Sequence, residues 1–125
     1  MQRGRTIEQL QEQVRRFAQA RDWEQFHTPK NLAMALAVEA AELLEHFQWV
    51  TPAESAALTP RKKRAVAREI ADVLIYLVRL SDVLDVNALS AAFSKLPLNA
   101  RKYPVARSRG AFVKYSRRRR GRHTL

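Results

Sequence analysis

The chain contains no cysteine, only three glycines among 125 residues, and no acidic side chain after Asp85. The first absence excludes a disulfide framework and any thiolate nucleophile or thiolate metal ligand. With so few glycines there is no Gly-rich loop to cradle a phosphate. No stretch approaches the roughly 18 uninterrupted apolar residues of a membrane span. Strand-like alternation and long-period repeats are missing too. The start, Met1-Gln2-Arg3-Gly4-Arg5, is polar and basic and has no apolar secretory segment. These absences lead to the expectation of a cytoplasmic chain with one core.

What is present is unevenly spread. The net charge is +11, yet residues 1–85 hold 12 Lys or Arg against all 12 Asp and Glu. The other 11 basic residues follow, so the basicity belongs to the C-terminal third. From Arg107 onward apolar periodicity fades, and Arg117-Arg118-Arg119-Arg120-Gly121-Arg122 reads as a disordered basic tail. The expected organisation is a helical domain over residues 1–106 and a basic extension over 107–125.

Thr6-Ile7-Glu8-Gln9 has the form of a capping box and opens a helix to about Ala20, with Ile7, Leu10, Val14 and Phe17 as its apolar stripe. Arg21 to His27 is a connection carrying Trp23 and Phe26, which either plug the core or, for the tryptophan, stack on a base. Thr28-Pro29 starts a second helix to about Trp49. Thr51-Pro52-Ala53-Glu54 opens a short helix ending near Leu58, and Thr59-Pro60 opens a long one to about residue 84. Its part from Ile70 to Leu84 is apolar nearly all round, as expected for burial across a subunit interface. A last helix spans Ala88 to about Lys102, with a kink or break expected at Pro97.

Two acid pairs stand out. Glu39-Ala40-Ala41-Glu42 and Glu69-Ile70-Ala71-Asp72 each set carboxylates three residues apart, on one helix face. Glu39 falls within the apolar stripe of Leu32, Leu36, Leu43 and Phe47, and Glu69 shares a face with Val73, Tyr76 and Leu80. One such pair reads more readily as a solvated surface; two on the apolar side call for a shared cation. Oxygen-only ligands from two helices suit Mg²⁺ better than zinc. A di-iron bundle would need Glu-x-x-His on two helices, and no His accompanies Glu69.

The resemblance is carried by longer motifs. Arg-Asp-Trp-Glu-Gln-Phe-His-x-Pro-Lys-Asn-Leu (21–32), Glu-Leu-Leu-Glu-His-Phe-Gln-Trp (42–49), Asp-Val-Leu-Ile-Tyr-Leu-Val (72–78) and Lys95-x-x-x-Asn99-x-x-Lys102-Tyr103-Pro104 resemble the MazG-like nucleoside triphosphate pyrophosphohydrolases, in their dCTP pyrophosphatase branch. The resemblance covers roughly residues 6–116. It implies an all-α, four-helix bundle-like, Mg²⁺-dependent enzyme, assembled as a dimer or tetramer, that cleaves a nucleoside triphosphate to the monophosphate and pyrophosphate. By the same resemblance Glu39, Glu42, Glu69 and Asp72 are the metal ligands and Trp23 and Trp49 wall the base, with Tyr76 and Asn99 nearby. Lys95 and Tyr103 approach the phosphates and sugar. The chain departs from the pattern at Pro97 and in its arginine-rich end.

Elementary chemistry agrees, since triphosphate hydrolysis requires charge neutralisation and an in-line water more than covalent catalysis. One acid can serve as general base; the sequence does not single it out. His27, His46 and His123 are expected to be bystanders on their residues alone, with His27, in the Trp loop, the one to test as a substrate contact. Two alternatives stay open: a helical module gripping nucleic acid through the basic tail, and a broader triphosphate or phosphoribosyl-ATP pyrophosphatase.

Overall fold

The structure is a computed structural model and describes residues 5–112. The arginine run, His123 and most of the expected basic extension lie outside the described residues. Within them every regular element is helical: α1 (Ile7–Ala20), a 3₁₀ turn (Glu24–Phe26), α2 (Pro29–Glu45), α3 (Pro52–Ser55), α4 (Pro60–Val83), α5 (Ala88–Lys102) and α6 (Val105–Ser108).

The helix starts follow the capping chemistry. Thr6 and Thr51 form reciprocal capping boxes with Gln9 and Glu54. Thr28 and Thr59 each accept from the backbone three residues on, with proline at the first position of the helix they open. The ends differ from the sequence expectation in three places. α2 stops at Glu45, and residues 46–50 form turns instead of continuing the helix to Trp49. α3 closes at Ser55 and not near Leu58, where Ser55 Oγ bonds the Pro52 carbonyl and competes with the helical ladder. α5 runs unbroken through Pro97, which forfeits a single backbone donor while the neighbouring turns carry the helix past it. Beyond Pro104 the chain forms one more turn, α6, where the sequence pattern had faded.

α1 and α4 both terminate in a Schellman arrangement built on aspartate. Asp22 (φ 52°) and Asp85 (φ 53°) adopt the left-handed conformation just past the last helical turn. The amide of Trp23 donates to the Ala18 carbonyl at 3.0 Å, and that of Val86 to the Ser81 carbonyl at 2.8 Å. Asp tolerates this conformation better than most side chains, which lets a glycine-poor chain turn tightly.

The chain divides into two compact units, one ending at Asn87 and one beginning at Ala88. In the first unit α4 is the organising helix: α2 packs along it most extensively and α1 next. Among the described residues the buried apolar side chains are Ala18, Leu32, Val66 and Val78. Much apolar surface stays uncovered, including Ile70, Leu74 and Leu77 on α4 and Met34 and Val38 on α2. The spacing of 70, 74 and 77 puts those three on one face. The second unit carries Leu89, Phe93, Leu96 and Leu98 exposed along α5.

Candidate active site

α2 and α4 run antiparallel, as three contacts along their length establish. His27, just before α2, bonds Arg79 near the end of α4. Glu39 in mid-helix meets Glu69 and Asp72, and His46, just past α2, faces Glu69. The register thus brings both acid pairs to one place.

Carboxylate oxygens of Glu39, Glu69 and Asp72 lie within 4.8 Å of one another. Glu42 stands one turn beyond Glu39, close enough to hydrogen-bond with it. Glu39 is pushed up to about 7, first by desolvation, then by its hydrogen bond with Glu42 and the negative charges of Glu42, Asp72 and Glu69. One oxygen each of Glu39 and Glu69 (Oε2 in both) is buried with no hydrogen-bond partner. Two orphaned, buried carboxylate oxygens on members of a like-charged cluster are costly without a counterion. An all-oxygen donor set from two packed helices fits a hard divalent cation. The other ordinary remedy, a cationic side chain, is supplied among the described residues only weakly, by His46 with Nε2 3.6 Å from Glu69 Oε1. The sequence reading treated His46 as a bystander; the register of α2 on α4 places it against a candidate ligand instead.

The remaining expected site residues fall into groups. Trp23 packs edge-on against Phe17 (centroids 5.7 Å) and His27 (6.3 Å) and keeps 43% of its surface exposed. It is therefore neither a core plug nor a fully free ring. Trp49 is 88% exposed, in the turn after α2. The two tryptophans flank opposite ends of a 17-residue helix, which at ~1.5 Å per residue is ~25 Å long. Tyr76 shares a face of α4 with Glu69, Asp72 and Arg79, at spacings of three and four residues. Lys95, Asn99 and Tyr103 belong to the second unit, at four-residue spacing along one face of α5 and just past its end. There the like-charged Lys102 close by holds the Lys95 ammonium below its ordinary value.

Sequence reasoning missed a second polar centre. Arg79 is 5% exposed and bonds His27, Asp82 and, less closely, Glu24. Asp82 in turn takes Arg15 and Gln11 from α1. The signal was present as Arg79 and Asp82, one turn apart within an otherwise apolar helix, where charges are expensive unless paired.

A helical scaffold that turns carboxylates of two antiparallel helices toward one point defines a class of acid-cluster domains. Residues 34–116 match the MazG-like family, and the chain belongs to that family. It is 44% identical over 113 residues to dCTP pyrophosphatase 1 of Rattus norvegicus, and 42% identical over 113 residues to dCTP pyrophosphatase 1 of Homo sapiens. Each alignment covers 89% of this chain and 66% of the relative, so the chain spans just under two thirds of those proteins. The crystal structure of a pyrophosphatase from Archaeoglobus fulgidus superposes with a TM-score of 0.75 at 44% identity, over 83% of this chain and 97% of that one.

Proposed function

We propose that the chain is a Mg²⁺-dependent nucleotide pyrophosphohydrolase that cleaves a (deoxy)nucleoside triphosphate, foremost dCTP or a modified dCTP, to the monophosphate and pyrophosphate. Its role would be sanitation of the nucleotide pool. The observation that carries this reading is the cluster of Glu39, Glu69 and Asp72 with its two orphaned buried oxygens. The relatives, named as dCTP pyrophosphatases and a pyrophosphatase, agree with it.

Glu39, Glu69 and Asp72 would hold the ion, with Glu42 beside Glu39 completing the acid set. When bound, Mg²⁺ supplies charge neutralisation for the phosphates and an activated water at neutral pH. The carboxylates' own part is to be ionised, fixed in place and aimed at one point. Trp23, His27 and Tyr76 would bind the nucleoside end. Asn99 would lie near the base, and Lys95 and Tyr103 would approach the phosphates and sugar.

The two tryptophans lie beyond opposite ends of α2, a helix ~25 Å long, which supports a base pocket completed by two copies of the chain. The uncovered apolar faces of α2 and α4 support such assembly into a dimer or tetramer. Trp49→Ala should therefore leave the melting temperature almost unchanged, since the ring is solvent-exposed. It should raise KM for dCTP roughly 5- to 150-fold, the worth of about 1–3 kcal/mol of stacking. Steady-state kinetics with a thermal melt separate the two effects. The function itself is tested by pyrophosphate release across a panel of NTPs and dNTPs, with and without Mg²⁺. No release from any triphosphate would refute it; salt-sensitive nucleic-acid binding in its place would favour the binding-module alternative.

A further inference from the structure

The buried polar centre at Arg79 is not required by its neighbours for their own sake. Asp82 already accepts from Arg15 Nε at 2.9 Å, from a terminal nitrogen of Arg15 at 2.6 Å and from Gln11 Nε2 at 2.6 Å. Arg79 adds a longer contact of 3.3 Å. An aliphatic residue at position 79 would fill the same interior without the cost of burying a guanidinium. Beside a loose pairing with the exposed Glu24 at 3.8 Å, what Arg79 contributes is its Nε–H, donated to His27 Nδ1 at 3.0 Å.

That contact dictates the state of the imidazole. A guanidinium has donors and no acceptor, so the ring nitrogen facing it must be the bare one. The proton of a neutral His27 then sits on Nε2. Burial, followed by the charge of Arg79, disfavours the doubly protonated ring, and Glu24 opposes only in part. The other charged groups around this centre, Asp82 and Arg15, are already paired with each other.

Position gives the fixed tautomer its use. Arg79 lies seven residues beyond Asp72 on α4, ~10 Å along the helix and on the same face, with Tyr76 between. His27 thus stands along the helix from the acids and beside the half-exposed Trp23.

We propose that Arg79 is a positioning residue for substrate recognition: it locks His27 as the Nε2–H tautomer, so that His27 offers a donor to an acceptor oxygen or nitrogen of the bound nucleoside. The inference deepens the pyrophosphohydrolase reading and rests on it for the identity of the ligand, but the tautomer lock stands apart from activity.

The test combines spectroscopy and kinetics on the full chain. In the ¹⁵N-histidine-labelled protein, long-range ¹H–¹⁵N correlations should show His27 as a single Nε2–H tautomer. In Arg79→Met the ring should become a tautomer mixture. KM for dCTP should rise about 3- to 10-fold, the loss of one oriented hydrogen bond, with kcat and the Mg²⁺ dependence kept. Combined with His27→Ala, Arg79→Met should add nothing further, because its effect passes through the imidazole. Should Arg79→Met not fold, Arg79→Lys carries the same test: a cation still faces Asp82, but the Nε–H aimed at His27 is gone. A single Nε2–H tautomer in the folded variant, or an equal KM penalty with and without His27, overturns the proposal. If the wild type releases no pyrophosphate from any triphosphate, the enzymatic reading fails, and the spectrum alone still decides whether Arg79 sets the tautomer.

Discussion

Glu39→Gln and Glu69→Gln are each expected to cut Mg²⁺-dependent pyrophosphate release by more than about 100-fold while leaving the fold intact. Each substitution keeps the shape of the side chain and removes one charge from the set proposed to bind the cation. In both residues the Oε2 atom is buried and unpaired, and the contact given up in Glu69→Gln is the long one, 3.6 Å, between Glu69 Oε1 and His46. Removing one of several crowded negative charges should leave the metal-free melting temperature equal or slightly higher. The rise in melting temperature on adding Mg²⁺ should vanish. Turnover near that of the wild type at limiting Mg²⁺, in either variant, would remove the acid cluster from the mechanism.

The metal-free protein should lose stability as pH rises from about 4.5 toward about 7, and Mg²⁺ should cancel that loss. Glu39 titrates near 7 in the folded chain against an ordinary 4.5. Between those values the unfolded chain has released this proton and the folded chain still holds it. Raising the pH across that window therefore favours unfolding. A bound divalent cation favours the ionised cluster and reverses the slope. The stabilisation by Mg²⁺ should then be greater at pH 7.5 than at pH 5.5, and about 2.7 kcal/mol when free Mg²⁺ is about 100 times its dissociation constant. Thermal melts across this pH range, with EDTA or Mg²⁺, measure it. Glu39→Gln, which has no proton to release, should flatten the metal-free slope; a slope unchanged in that variant would assign the effect to another group.

Much of the fold was legible because threonine caps and prolines mark four helix starts unambiguously, at Thr6, Thr28, Thr51 and Thr59. The ends were less legible, since the left-handed aspartates at 22 and 85 are a chain-closing device that any turn-forming sequence could share. The acid pairs could be read from three-residue spacing alone. Their convergence could not: it depends on which turn of α2 meets which turn of α4, and helical periodicity fixes a face but not a register. The same gap hid His46, whose ring reaches Glu69 only through that register. Arg79 was hidden because a lone arginine in an apolar helix has many conceivable partners, and its actual ones come from the loop before α2 as well as from its own helix. The separation of Trp23 from Trp49 follows from helix length and was available from the start.

In the proposed assembly, the exposed apolar face formed by Ile70, Leu74 and Leu77 would make chain concentration a thermodynamic variable. A protomer whose described interior buries so few apolar side chains would then gain part of its stability on meeting another copy, as a ligand would provide it. Dilution would then act as a denaturant. Below the association constant's reciprocal, chains would not merely separate but open, and proteolysis would follow the monomer population. A newly made chain would face the same hazard before its first encounter, with that face offered to any other apolar surface nearby. Synthesis in bursts, which raises the local number of copies, would protect it better than the same output spread over time.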